Sequence, residues 1–273
     1  MEFSNNHFNP LLSAFRSGFG CETALLTQCK ITEDWKKALD DNKFITAILM
    51  DLSKAFDCLP HNSLMLKLED FGLLENSLKL LKSYLENRRQ CIKIGNNYSE
   101  WDTLIKGVPQ GSILGPVLFN VFINDVFHFV QDITIYIYAD DNTLSYSDTI
   151  INTVVKTLEN DSINLIYWFS KNLMKANPDK FQAISITIGP KTNRHNLSFD
   201  LNLKGNKITC EENVKLLGVT VDSQLNFDKH ISKICKKASQ QLNILKRIGK
   251  YLNRLGRLTI YIFFLLLLYS FKL

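Results

Sequence analysis

The chain has 273 residues, 45% of them hydrophobic and 22% charged, with a formal net charge of +5. This length and balance allow a full core, in one large domain or two small ones, and exclude disordered and fibrous classes. The six cysteines are scattered, with no C-x2-C or C-x4-C spacing, which argues against a zinc site and a disulfide scaffold and for a reducing compartment.

The opening MEFSNNHFNP has neither a basic nor an apolar leader region, so no secretory signal is read there. A turn is predicted over Phe15–Gly20. A helix follows over Glu22–Asp41, with Ala24, Leu25, Ile31, Trp35 and Leu39 at helical spacing. Phe44–Met50 is a continuous apolar run that suits a buried strand ending at Asp51. Helices are predicted over His61–Gly72 and Glu75–Glu86, then a strand over Arg89–Ile94 with a turn at Gly95-Asn96-Asn97.

Gly107–Pro116 is punctuated by glycine and proline and reads as a loop. Val117–Val130 is an apolar helix. Ile133–Tyr138 and Thr143–Tyr146 form a predicted hairpin whose turn is Ala139-Asp140-Asp141-Asn142. A long helix is predicted over Asp148–Met174, and Asn177-Pro178 breaks the chain before strands at Phe181–Ile188 and Val214–Val221. Between Lys229 and Arg257 lie nine lysines and arginines and no carboxylate. That segment is an amphipathic helix or helix pair, with Ile231, Ile234, Ala238, Leu242, Leu245, Ile248 and Leu252 on one face. Such a basic stretch suits a polyanion, nucleic acid first, although a solvated helix face has the same composition. The apolar stretch Leu258–Leu273 is shorter than the ~20 residues of a membrane span and reads as a core helix, with a membrane anchor the minority reading. Strands and helices mix without strict alternation, an α+β pattern.

Asp51 at a strand end and Asp140-Asp141 at a hairpin tip are each common features, usually caps or turn residues. Their strands are apolar enough to be neighbours in one sheet. Gathered carboxylates repel and raise one another's pKa unless a cation neutralises them. Magnesium, with oxygen ligands and open positions for phosphates, meets that need. Two such ions ~3.5–4 Å apart clamp the attacking and leaving oxygens of a phosphoryl displacement. Because side chains alternate along a strand, Asp51 and Asp140 rank above Asp141 as ligands.

These segments resemble the reverse transcriptases of non-LTR (LINE-type, jockey-like) retrotransposons. Asp51-Leu52-Ser53-Lys54-Ala55-Phe56-Asp57 is similar to the family's motif A. Gly107-Val108-Pro109-Gln110-Gly111-Ser112-Ile113-Leu114-Gly115-Pro116 is similar to motif B, and Tyr138-Ala139-Asp140-Asp141 to motif C. Lys180, after Asn177-Pro178-Asp179, stands where the motif D lysine falls. Leu216-Leu217-Gly218 resembles motif E, the primer grip.

The resemblance implies a right-hand polymerase: partial fingers over 1–43, a palm over 44–222 with a fingers insertion around 60–106, and the start of a basic thumb over 223–273. It implies RNA-directed DNA synthesis from an RNA template, a DNA primer and dNTPs, with two magnesium ions held by Asp51, Asp140 and Asp141. Lys180 would protonate or neutralise the pyrophosphate. Phe56 would be the steric gate, and Gln110 and Gly111 would contact template or nucleotide. Arg16 resembles the triphosphate-holding arginine of the fingers, although Ala14 stands where many relatives carry glycine. Asp57 reads as a cap rather than a ligand. Lys233, Lys236 and Lys237 would meet the duplex backbone.

Intact elements of this type carry an endonuclease before the polymerase and more thumb after it, so a truncated or decayed copy is expected, intracellular and without a membrane anchor. Its oligomeric state is open. A catalytically silent nucleic-acid-binding remnant is the competing reading. A viral-type RNA polymerase fits less well, because of Ala139 and Phe56.

Overall fold

The structure is a computed structural model that describes residues 7–16, 21–186, 199–248, 251–256 and 258–262. Its centre is a five-stranded antiparallel sheet built around β1 (Phe44–Ser53). β1 pairs on one side with β7 (Asp141–Asp148), which pairs in turn with β6 (Thr134–Tyr138). On its other side it pairs with β8 (Lys175–Ala176) and β9 (Gln182–Ile186).

The unbroken apolar run of β1 reflects cover on both faces. Ile45, Ala47 and Leu49 share a cluster with Ile31 and Trp35 of α1 (Cys21–Asp40). Ile48, Met50 and Leu52 join the larger core, which holds Leu118, Phe119 and Phe122 of α4 (Leu114–Ile123) and Leu158, Leu165 and Trp168 of α5 (Ile151–Lys171). Asp51 has the parity of Ile45, Ala47 and Leu49, so it belongs to the α1 side of the sheet.

α2 (His61–Asp70) and α3 (Glu75–Leu85) follow β1. Lys67 pins α2 to α4 and α5. Its ammonium donates to the Phe122 carbonyl at 2.7 Å and to Asp125 at 2.8 Å, and lies over the rings of Phe122 and Trp168. Burial pushes its pKa down, and Asp125 opposes the shift.

The strand expected over Arg89–Ile94 is interrupted. β2 (Arg89–Gln90) pairs with β5 (Asp102–Thr103), and β3 (Lys93–Ile94) with β4 (Asn97–Tyr98). Between the two ladders the Ile92 N–H turns to the Ser99 hydroxyl at 2.8 Å, which breaks the register. α4 begins inside the stretch read as a loop, because the Ser112 hydroxyl accepts the Gly115 N–H at 3.0 Å and starts the helix early. Pro116 fits in that first turn, where its missing N–H has no helical partner to lose. Past Ile123 the chain tightens into a 3-10 turn, Asn124–His128.

Thr134–Tyr138 and Asp141–Asp148 form the expected hairpin with a tighter turn, Ala139-Asp140, in place of four residues. Asp161, buried in α5, accepts the N–H groups of Gln131, Asp132 and Ile133 at 2.9–3.1 Å and fixes the entry to β6. The Tyr136 hydroxyl donates to Asp34 and ties β6 to α1.

A hairpin not anticipated from sequence, β10 (Asp200–Leu203) with β11 (Asn206–Thr209), lays Leu201, Leu203 and Ile208 against the larger core. Val214–Val221, expected as one strand, is a second hairpin: β12 (Asn213–Leu216) and β13 (Val219–Asp222). Leu217 and Gly218 have φ of 45° and 86° and reverse the chain. α6 (Asp228–Ile248) is helical as expected, yet its apolar face is open to solvent, with Ile231 53% and Leu242 49% exposed. The apolar C-terminal stretch falls mostly outside the described residues. Among the described residues no helix is long and apolar enough to cross a membrane.

Candidate active site

Asp51 and Asp141 are register partners across β1 and β7, so their side chains leave the sheet on the same side. Asp140 occupies the tip of the β6–β7 turn beside Ala139. Ala139 holds φ 56° at the first turn position, where glycine is favoured. The bond from the Asn142 side chain to the Asp140 carbonyl at 2.9 Å braces this turn.

Lys180 arrives from the far edge. The Asn177 N–H donates to the Asp51 carbonyl at 3.3 Å, and a 3-10 turn over Pro178–Lys180 then swings Lys180 back. Its ammonium lies 2.8 Å from Asp51 Oδ2. That bond, and the charges of Asp51 and Asp140, raise the lysine's pKa. Asp141 is pushed up to about 6, first by desolvation, then by the charges of Asp140 and Asp51, with Lys215 opposing.

A cleft of about 240 Å³ opens here, with Asp51, Asp141 and Lys180 on the sheet side and Lys215, Leu216, Leu217 and Gly218 on the β12–β13 side. Gln182 bridges the two sides by accepting the Lys215 N–H at 3.3 Å. Neither Lys215 nor Gln182 was singled out from sequence. The alternation of Val214, Lys215 and Leu216 carried a signal for Lys215, since buried neighbours force the lysine to the opposite face.

The remaining candidates form a second group. Lys54, at φ 52°, turns the chain out of β1 into the 3-10 turn Ala55–Asp57. Phe56 is half-buried there, its ring 4.6 Å from that of Phe119 and edge-on to Phe15 at 5.9 Å. Gln110 donates to Asp57 at 2.9 Å, a partnership not read from sequence. Gly111 has φ 76°. Arg16 is engaged within its own segment, donating to the carbonyls of Asn9 at 3.1 Å and Leu12 at 2.8 Å. Lys233, Lys236 and Lys237 stand exposed on α6.

The charges of Asp140 and Asp51 both bear on Asp141, and such repulsion is what a hard divalent cation with oxygen ligands would relieve. Among the described residues no three Asp, Glu, His or Cys side chains stand as a ready-made ion cage.

Residues 1–221 match the family of reverse transcriptases (RNA-dependent DNA polymerases). The chain belongs to that family. Among its relatives, the probable RNA-directed DNA polymerase from transposon BS of Drosophila melanogaster is 30% identical over 241 residues, covering 85% of this chain and 26% of that protein. The RNA-directed DNA polymerase from mobile element jockey of Drosophila melanogaster is 27% identical over 206 residues, covering 72% of this chain and 22% of that protein. The jockey-like resemblance carried by the motifs is thus borne out. This reverse transcriptase chain spans about a quarter of the length of those curated relatives. In fold it is similar to telomerase from Candida tropicalis in complex with the TWJ fragment of telomeric RNA, with a TM-score of 0.52 and 15% identity over 76% of this chain and 32% of that one.

Proposed function

We propose that the chain adds deoxynucleotides to the 3′-hydroxyl of a DNA primer, copying an RNA template. The observation that carries this reading is the pairing of Asp51 with Asp141 across β1 and β7, with Lys180 bonded to Asp51, in one cleft closed by residues 215–218. In this reading residues 1–43 are partial fingers, 44–222 the palm with a fingers insertion around 60–106, and 223–273 the start of a thumb.

Asp51, Asp140 and Asp141 would hold two magnesium ions. Bound there, the ions would acidify the primer hydroxyl and neutralise the triphosphate. The chain's own side chains supply the rest. Asp51 orients Lys180 in the ground state, and the ammonium is placed to neutralise or protonate a departing pyrophosphate. Leu216, Leu217 and Gly218 form the wall against which a primer end would rest. Phe56, whose ring meets those of Phe15 and Phe119, would be the gate against a 2′-hydroxyl. Gln110 and Gly111 would meet template or nucleotide, and Arg16 the triphosphate. Lys233, Lys236 and Lys237 would follow the phosphates of an RNA–DNA duplex without reading its sequence.

Extension of a DNA primer on an RNA template, with and without magnesium, tests the reading. Magnesium-dependent addition of dNTPs is expected. Incorporation of rNTPs as fast as dNTPs would favour an RNA polymerase instead.

A further inference from the structure

Residues 55–61 and 107–110 are far apart in the chain and are joined by backbone bonds. The Val108 N–H donates to the Phe56 carbonyl at 2.9 Å and the Gly107 N–H to the Leu59 carbonyl at 2.7 Å. His61 Nε2 stands 2.7 Å from the Gly107 carbonyl. Across this joint Gln110 Nε2 donates to Asp57 Oδ1 at 2.9 Å. A carboxylate only accepts, so only the nitrogen end of the Gln110 amide can face it. The two ends of a glutamine amide are otherwise interchangeable in shape, and here the partner decides between them.

We infer that Asp57 is a positioning residue. It fixes the Gln110 amide so that Oε1 is offered as an acceptor to a sugar hydroxyl, on the incoming nucleotide or on the template. This rests on the polymerase reading for its ligand, but the Asp57–Gln110 pairing is testable without it. Phe56, the residue before Asp57, is held by the same joint, so the acceptor and the aromatic ring keep a constant separation. The pair is exposed in the free protein, where water weakens it. Nucleic acid closing over it would strengthen it by excluding that water.

The side-chain amide signals of Gln110 in the full chain, identified by their loss in Gln110→Ala, give the first test. In Asp57→Ala they are expected to move to the positions of a solvated glutamine. In Asp57→Asn, whose Oδ1 still accepts, they should return part-way. Unchanged signals in Asp57→Ala overturn the inference, whether or not the chain polymerises.

Kinetics give the second test. Asp57→Ala is expected to raise KM for the nucleotide about three- to tenfold while changing kcat less, the loss of one oriented hydrogen bond. Adding Gln110→Ala should cost nothing further, and additive losses overturn the inference. Comparing dideoxy- with deoxynucleotides, and RNA with DNA templates, assigns the hydroxyl. In Asp57→Ala one of these two preferences should flatten, and retention of both overturns the hydroxyl assignment. A wild-type chain that adds no nucleotide contradicts the polymerase reading, while the amide signals still decide the positioning.

Discussion

Gly107 packs so tightly on Asp57 that a Cβ at Gly107 would lie 2.7 Å from the Asp57 carbonyl oxygen. Its φ of 84° is also one that side-chain-bearing residues rarely adopt. The two effects are independent, and the obstacle is backbone, which cannot swing aside. Gly107→Ala is therefore expected to cost about 3 kcal/mol or more, read as a Tm lower by roughly 5–10 °C. Gly111→Ala meets no atom within 4 Å and carries only the strain of its φ, so it should cost less.

Tyr136 supplies a pH signature at the joint between β6 and α1. Burial first, and then its bond and proximity to Asp34, raise its pKa above the ordinary 10.0. An acid whose pKa is raised by folding adds stability below its unfolded pKa. That stability is lost as pH climbs from about 10 through the folded value. The stability difference between wild type and Tyr136→Phe, followed by urea unfolding from pH 8 to 11, should be constant to about pH 10. Above that it should shrink by about 1.4 kcal/mol per pH unit. A difference that stays flat to pH 11 would show that the hydroxyl is not held as the structure has it.

Lys180 bonds Asp51 from an exposed position, so its removal should leave folding intact. Lys180→Met is expected to lower kcat about 10²-fold, within the usual range for a positioned proton donor, with KM for the primer–template duplex little changed. Lys180→Arg should recover part of the loss if charge is what matters. An unaltered kcat in Lys180→Met would reduce the lysine to an incidental ion pair.

α6 predicts a salt effect. If Lys233, Lys236 and Lys237 each neutralise a phosphate, their joint replacement by alanine should make the slope of log affinity against log salt shallower by about two to three. Measuring duplex affinity across a salt series checks this, and an unchanged slope removes α6 from the duplex interface.

Some of this was readable from the sequence for physical reasons, and some was not. β1 announced itself because burial on both faces demands an unbroken apolar run. α6 did so through its helical period, but period alone says nothing of what covers a face, and Ile231 and Leu242 face solvent. The β12–β13 hairpin was hidden because Leu217, a residue that rarely takes positive φ, holds φ 45° inside an apolar run. The β10–β11 hairpin had a turn signal in Lys204-Gly205 but only a few apolar residues to flag its strands. At the site, the motifs named Asp51, Asp140, Asp141 and Lys180. That Asp51 faces Asp141 depends on strand register, which pairing across the whole sheet sets. The Asp57–Gln110 and Lys215 placements depend on tertiary contacts in the same way.

The reaction assigned to Asp51, Asp140 and Asp141 is tested most directly by extending a labelled DNA primer on an RNA template with magnesium. Wild type is to be compared with Asp51→Asn and Asp140→Asn, each checked for folding and duplex binding. Loss of a carboxylate that steadies the reacting charges should slow addition by about 10²–10³-fold or more. Equal extension by wild type and the two variants, or none by a folded wild-type chain that binds the duplex, would contradict it.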